Sequence, residues 1–202
     1  MMSKTGNAIE IVEKMRDTVE VLLDDGTVIN GPRNTPVGDF LKRYQDPQKA
    51  LIVGAIVDHS LRELTYPISI DARVTPVNMS DSDGARIYRR SLIFLLEVAF
   101  IELFPEWTLT IDHSVFSGAY YCHVPEQQPF SERHLDELKK RMLELVKLDE
   151  PMIKEKVSLN EAKEIFLEQG QDDKLRLLNY RNENELVLYT MHGIRDYHHG
   201  YM

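Results

Sequence analysis

Three arginines and a histidine are of the types that bind anions or transfer protons. Arg86, Arg89 and Arg90 open a predicted helix, and guanidinium groups near a helix N-terminus suit an anion. His113 lies between a predicted strand and a predicted turn, where an imidazole can act as an acid, a base or a ligand. For Arg86 and Arg89, pairing with surface carboxylates is the favoured alternative. For His113, a hydrogen bond to a neighbouring loop is equally well supported.

Further histidines gather near the C-terminus, at His192, His198 and His199. Such a group can hold a metal ion, but solvated loop histidines are the favoured interpretation. Cys122 is the one cysteine of the chain, which excludes an internal disulfide and a multi-cysteine zinc site. A lone cysteine and a polar, mixed-charge start without a signal peptide favour a cytoplasmic location.

The composition is that of a globular protein. The 202 residues are 43% hydrophobic and 28% charged, which excludes collagen-like and intrinsically disordered classes. The longest apolar stretch, from Leu92 to Phe104, is interrupted by Glu97 and Glu102 and is too short to cross a bilayer. The formal net charge of −9 disfavours sequence-independent binding of nucleic acid, although a local basic pocket stays possible.

The charge distribution suggests two domains. The acidic excess lies mainly after residue 78, where residues 78–84 form a short polar stretch typical of a linker. The sequence therefore predicts a lead-in over residues 1–17, a first domain over 18–78 and a second over 79–202. Both are expected to mix helices and strands, so the predicted fold class is α+β.

The first domain has the pattern of a small sheet crossed by one helix. Thr18 to Leu23 alternates, Asp24 to Gly26 supplies a tight turn, and Leu51 to Val57 is a buried central strand. Between them, Thr35 is the predicted cap of a helix that has Pro36 in its first turn. A hairpin, a helix and further strands in this order predict a β-grasp fold. The motifs V-x-V-L-L-D-D-G-T and T-P-V-G-D-F resemble the ubiquitin-like TGS domain of threonyl-tRNA synthetase.

The second domain has two clear helices. The run from Ile87 to Phe104 is apolar around most of its circumference, and a second helix is predicted from Ser131 to about Asp149. Ser158 to Glu161 is a capping box that starts a further helix. Strands are predicted near residues 108–111, 119–124 and 186–190.

The order of motifs in this domain resembles the second additional domain of threonyl- and alanyl-tRNA synthetases. The motifs are Y-R-R-S-L-I-F-L-L-E-V-A-F-I-E-L-F-P, I-D-H-S-V-F-S-G-A-Y-Y and K-V-S-L-N-E-A-K-E-I-F-L-E-Q-G. In threonyl-tRNA synthetase that domain hydrolyses mischarged seryl-tRNA. The family has a metal or substrate site made by H-x-x-x-H and C-x-x-x-H, which falls here on Arg90, Phe94, His198 and Met202. Three of these four positions have lost their ligands, so the resemblance predicts no metal, while Lys174 and Asp196 are kept.

Bacterial uridine-kinase-like proteins resemble the chain more closely, through I-Y-R-R-S-L-x-F-L-L, I-x-H-S, G-x-Y-C and D-Y-x-x-G-Y-M. No phosphate-binding G-x-x-x-x-G-K-[S/T] occurs, so ATP and Mg²⁺ are expected only for a kinase domain outside this sequence. The resemblance predicts a non-catalytic region that partners that kinase domain. Its ligand would be a nucleotide, an amino acid or an RNA end. The predicted cleft contains Arg90, Phe94, His113, Lys174, Asp196 and His198. A freestanding aminoacyl-tRNA deacylase and a structural or dimerisation module are the alternatives.

Overall fold

The computed structural model describes residues 14–114, 119–125, 129–181, 183–198 and 200–202. The chain divides into two compact units, residues 1–85 and 86–202, each built from helices and strands. The predicted α+β class is thereby confirmed. The predicted domain ranges stay predictions, and most of the lead-in, residues 1–13, lies outside the described residues.

The first unit is a mixed five-stranded sheet in the order β2-β1-β7-β4-β5, with a separate two-stranded pair of β3 and β6. The elements are β1 (Thr18–Leu23), β2 (Val28–Pro32), β3 (Thr35–Pro36), α1 (Val37–Lys42), β4 (Ile52–Val57), β5 (Ser60–Arg62), β6 (Pro67–Ile68) and β7 (Ala72–Asn78). Strands β1 and β2 form the predicted antiparallel hairpin, and β1 pairs in parallel with β7.

Every second side chain of β1 enters the core of the first unit. Val19, Val21 and Leu23 are buried together with Phe40 and Leu41 of α1. Gly31 leaves room for this helix, because a Cβ at that position would lie 2.6 Å from the Phe40 ring. The prediction that Thr35 caps α1 was wrong. Pro36 takes that place without a side-chain bond, and Thr35 belongs to β3. The assignment to the TGS family stays a prediction.

The second unit contains a long helix, a hairpin and a three-stranded sheet. Its elements are α2 (Ser82–Leu103), β8 (Thr110–Ser114), β9 (Tyr120–His123), α3 (Glu132–Leu148), β10 (Ile153–Ser158), α4 (Leu159–Glu168), α5 (Asp172–Leu178), β11 (Glu185–Met191) and β12 (Ile194–Tyr197). Strands β10, β11 and β12 are antiparallel in that order, and β8 pairs with β9.

The three-stranded sheet separates two cores. Side chains alternate between the two faces of a strand, so neighbours along β11 enter different clusters. Tyr189 and Met191 pack with Phe94 and other residues of α2, whereas Leu188 packs with Phe166 of α4. The sheet thereby holds the residues of β12 that face α2 in a fixed register against that helix.

Helix α2 starts earlier than the sequence predicts. It begins at Ser82, so the predicted linker over residues 78–84 is shorter than expected: Asn78 ends β7, residues 79–81 connect the two elements, and residues 82–84 open α2. The cap predicted at Ser158 is confirmed, because its hydroxyl accepts the backbone N–H three residues on at 3.1 Å, and Ser131 caps α3 in the same way at 3.2 Å. No helix within the described ranges is long and apolar enough to span a membrane.

Candidate functional site

Asp196 is the most deeply buried charged group of the site, with 6% of its side chain exposed. It lies on β12 opposite Tyr189 of β11, so its side chain lies on the sheet face that packs against α2. Its Oδ1 accepts the backbone N–H of Tyr197 at 2.6 Å, and its Oδ2 accepts a bond from the Lys174 ammonium. A buried carboxylate is stable only with such partners.

Lys174 reaches Asp196 from α5, a helix that the sequence did not predict. Its side chain is 29% exposed, and its Nζ lies 5.7 Å from the centre of the Phe166 ring. The ammonium therefore sits between an aromatic face and a carboxylate, which holds it in one position. The two positions that the family resemblance marked as kept are thus in direct contact.

Glu97 on α2 faces His198, which follows β12. Glu97 Oε2 lies 3.3 Å from His198 Nε2, and the side chains are 22% and 11% exposed. Despite this contact, neither atom has a hydrogen-bond partner in the part of the chain that the structure describes. Burial raises the pKa of Glu97, and the nearby charge of Asp196 raises it further, while His198 and Lys174 act in the opposite direction.

Phe94 and Arg90 hold the C-terminal tail against α2. The Phe94 ring meets the His198 ring edge-on, with centroids 5.2 Å apart. Arg90 donates a hydrogen bond to the carbonyl oxygen of Tyr201 at 3.3 Å. Gly200 has a φ of +97°, which residues with a Cβ rarely adopt, and a Cβ there would lie 2.6 Å from the guanidinium at the flexible end of Arg90.

The arginines do not form the predicted anion site at a helix N-terminus. Because α2 begins at Ser82, Arg86 and Arg90 lie one and two turns inside the helix, where its backbone amides are already bonded. His113 lies on β8, but its side chain falls outside what the structure describes. Its predicted place in the cleft stays a prediction.

A cavity of about 450 Å³ opens beside the buried pair. Its wall carries Glu97, Lys174 and Asp196, together with the side chains of Trp107 and Gln171. Arg90, Phe94 and His198 are not among its lining residues. The predicted cleft is therefore divided: Lys174 and Asp196 face the cavity, while the other described members pack behind it.

Glu97 is the site residue that sequence reasoning missed. The sequence carried a signal, because Glu97 is one of two carboxylates that interrupt an otherwise apolar run on α2. A charged residue in the middle of a buried helix face requires a polar partner. Asp196 and His198 stand about a hundred residues away in the chain, so this partner is visible only in the fold.

The four positions of the family's metal motif do not fit a metal ion. Arg90 offers a cationic guanidinium and Phe94 an aromatic ring, and Met202 packs its thioether against the core around α2. Only His198 of the four carries a good ligand for a transition metal. The prediction that no metal binds at these four positions stays untested.

A second glutamate of α2, Glu102, makes a different kind of cluster. Arg141 of α3 donates to its Oε2 at 2.7 Å, and His192 Nδ1 lies 2.5 Å from its Oε1. Partial burial alone would raise the pKa of Glu102, but the bonds from Arg141 and His192 outweigh burial and lower it. This cluster ties α2 to α3 and to the turn between β11 and β12.

Comparisons with known proteins show a similarity to threonine–tRNA ligases. No protein-family model matches the chain. A threonine–tRNA ligase of Psychrobacter arcticus is 35% identical over 161 residues, which cover 80% of this chain and 25% of the ligase. Ligases of the same name from Symbiobacterium thermophilum and Burkholderia lata are 27% and 31% identical over 184 and 179 residues. These cover 90% and 88% of this chain, and 28% of each ligase.

The chain is similar to the N-terminal region of threonine–tRNA ligases. It spans about a quarter of the length of these relatives. The similarity supports the synthetase-related assignment made from the motifs of the second unit.

Proposed function

We propose that the chain binds the aminoacylated end of a tRNA and hydrolyses the ester of a wrongly attached amino acid. The observation that carries the proposal is the buried Lys174–Asp196 ion pair on the wall of the cavity. These residues occupy the positions that resemble the synthetase editing domain. The relatives are named for threonine and tRNA, which fits the same substrate class.

The cavity has the size and lining that an aminoacyl ester at the end of a nucleotide requires. About 450 Å³ lies within the usual range for small-ligand sites. The Trp107 side chain offers an aromatic surface for the sugar or base, and Gln171 offers an amide for a hydroxyl group. The net charge of −9 disfavours contact with the tRNA body, so recognition concentrates at the acceptor end.

The charged groups on the wall divide the hydrolytic step between them. Water adds to the ester carbonyl carbon, and the bond from that carbon to the ribose oxygen then breaks. Glu97, which lies on the wall and contacts His198 behind it, accepts the proton from water and returns it to the departing ribose oxygen. The Lys174 ammonium, positioned by Asp196, stabilises the negative charge that develops on the carbonyl oxygen.

The interpretation as the N-terminal region of a uridine-kinase-like protein stays a prediction, and the three ligases lend it no support. The kinase-domain partner, ATP and Mg²⁺ belong to that interpretation alone. The β-grasp TGS assignment of the first unit and a cytoplasmic location both agree with a tRNA substrate. A structural or dimerisation role would leave the buried pair without a function.

The test is release of serine from seryl-tRNA by the purified chain, compared with release of threonine from threonyl-tRNA. We expect Asp196→Asn to slow serine release by about 10²-fold or more, because the ammonium loses its position. Glu164→Gln, which removes an exposed carboxylate from α4 of the same unit, should leave the rate unchanged. Serine release no faster than in buffer, or an equal rate in both variants, would contradict the proposal.

A further inference from the structure

Three ligand-type side chains converge at one point in the second unit. One oxygen each from Glu97 and Asp196 and one ring nitrogen of His198 lie within 4.8 Å of one another. Glu97 comes from α2, and Asp196 and His198 come from β12 and the residue directly after it, so two separate backbone segments meet there. Two carboxylates and an imidazole form a donor set that divalent transition metals use in proteins.

Two of these atoms are buried without a satisfied hydrogen bond. Glu97 Oε2 and His198 Nε2 are closed to solvent, and within the described part of the chain neither finds a hydrogen-bond partner. A buried polar atom without a partner commonly marks the place of a water or an ion. Both atoms point at the same space, and the most buried carboxylate of the site, Asp196, borders it.

The distances suit a small cation. Ligand atoms about 2.1 Å from a tetrahedrally coordinated ion are about 3.4 Å apart. Glu97 Oε2 and His198 Nε2 are 3.3 Å apart, so they already have the spacing of two such ligands. The Asp196 oxygen lies within 4.8 Å of both atoms, so a rotation of its side chain that shortens these distances would complete the set.

The surroundings of Asp196 are those of a supported ligand. Lys174 and the backbone N–H of Tyr197 each bond to one of its oxygens. Every carboxylate oxygen has a second lone pair, so these bonds orient the group and leave it able to bind a cation. In the absence of a cation, two buried carboxylates share one ammonium; a divalent ion would balance this negative charge.

We infer that Glu97, Asp196 and His198 bind one divalent transition-metal cation of the Zn²⁺ or Mn²⁺ class. This site differs from the family's four metal positions and shares only His198 with them. It is also contrary to the expectation of no metal that the lost motif suggested. The inference goes beyond the proposed function, since it concerns the chain alone and requires no tRNA.

The experiment is titration of the metal-free chain with Zn²⁺, followed by calorimetry and by competition with a chromophoric chelator. We expect one Zn²⁺ per chain. Glu97→Gln removes a ligand at constant shape and should weaken binding by about 100-fold or more, since even outer partners of a ligand contribute 10–100-fold. Glu164→Gln removes the same charge from an exposed position of the unit and should bind as the unaltered chain does.

A second variant keeps the test decisive if Glu97→Gln fails to fold. His198→Asn changes a residue outside every helix and strand and should cause the same loss of binding. The Co²⁺-loaded chain should show visible absorption bands that each of the two variants lacks. Absence of stoichiometric Zn²⁺ binding, or equal affinity in all variants, would overturn the inference and assign the space to water.

The outcomes of the two proposals are separable. The cation would occupy side chains that the proposed hydrolysis uses, so serine release is measured on the metal-free chain: Zn²⁺ binding without serine release by that chain would support the cation site and contradict the deacylase. Serine release that persists in a chelator, together with no Zn²⁺ binding, would support the deacylase and contradict the cation site.

Discussion

Glu97 and Glu102 lie on the same helix and each contacts a histidine, yet the pKa of Glu97 is raised and that of Glu102 is lowered. Their side chains are 22% and 21% exposed, so surface exposure alone does not separate them. Burial raises the pKa of Glu97 and the nearby charge of Asp196 raises it further, and together they outweigh the contact with His198. Glu102 is bonded by Arg141 and His192, and its pKa is lowered.

The comparison distinguishes two ways of using a buried carboxylate. The cluster of Glu102, Arg141 and His192 is complete, because both carboxylate oxygens have a short bond to a donor. The cluster of Glu97, Lys174, Asp196 and His198 is incomplete, because two of its atoms are unsatisfied. A complete cluster stabilises the fold, whereas an incomplete one costs stability and is typical of functional sites.

The largest expected effect comes from breaking the ion pair of the incomplete cluster. Lys174→Met leaves Asp196 buried without its ammonium and should lower the free energy of unfolding by about 3 kcal/mol. Lys140→Met, which removes an exposed pair with Glu144, should change it by less than about 0.5 kcal/mol. Urea unfolding of both variants measures the difference. Similar midpoints for the two would show that the buried pair is not special.

The two glutamates should respond oppositely to the same substitution. Glu102→Gln should lower the free energy of unfolding by about 1.5 kcal/mol, since it removes charged hydrogen bonds to Arg141 and His192. Glu97→Gln should raise it by about 1 kcal/mol at neutral pH, because it removes a charge that burial and the nearby Asp196 disfavour. Both are measured by thermal unfolding in a chelator. The same sign for both variants would refute the comparison.

The smallest effect is the pH dependence of the change in unfolding free energy that each glutamine substitution causes. The pKa of Glu97 is raised above its ordinary value of 4.5. The loss of stability that its charge causes is therefore absent below about pH 4.5, and it develops as the pH rises through the pKa of the folded state. The gain in Glu97→Gln should therefore vanish in acid. The pKa of Glu102 is lowered from 4.5, so its contribution is present above that pH and is lost as the pH falls through the folded-state value.

Melting temperatures of the unaltered chain and both variants between pH 3 and pH 8 would check this difference. The curve of Glu97→Gln should separate from that of the unaltered chain as the pH rises, and the curve of Glu102→Gln should rejoin it as the pH falls. Curves that stay parallel over this range would mean that neither carboxyl changes its pKa on folding.

Local patterns predicted the elements whose signals are contained in a few residues. The β1–β2 hairpin, the helix α3 and the cap at Ser158 were found in this way. Strand β10 and helix α5 were missed. Strand β10 carries three consecutive charged residues, 154–156, at a sheet edge, and α5 follows Gln171 without a side-chain cap. Their positions depend on tertiary contacts that no local signal records.

The candidate site was predicted in part. The family resemblance marked Lys174, Asp196 and His198, and the structure places the first two in contact. It could not mark Glu97, which belongs to no motif position. The contact between α2 and the end of β12 joins residues about a hundred positions apart, so only the packing of α2 on the sheet brings Glu97 to them.

The close contact of Arg90 with Gly200 separates two obstacles to any other residue at position 200. The guanidinium is the end of a long, flexible side chain and can move aside, whereas the φ of +97° is a conformation that residues with a Cβ rarely adopt. The backbone therefore restricts position 200 more than Arg90 does, and a shorter residue at 90 should not by itself admit a side chain at 200.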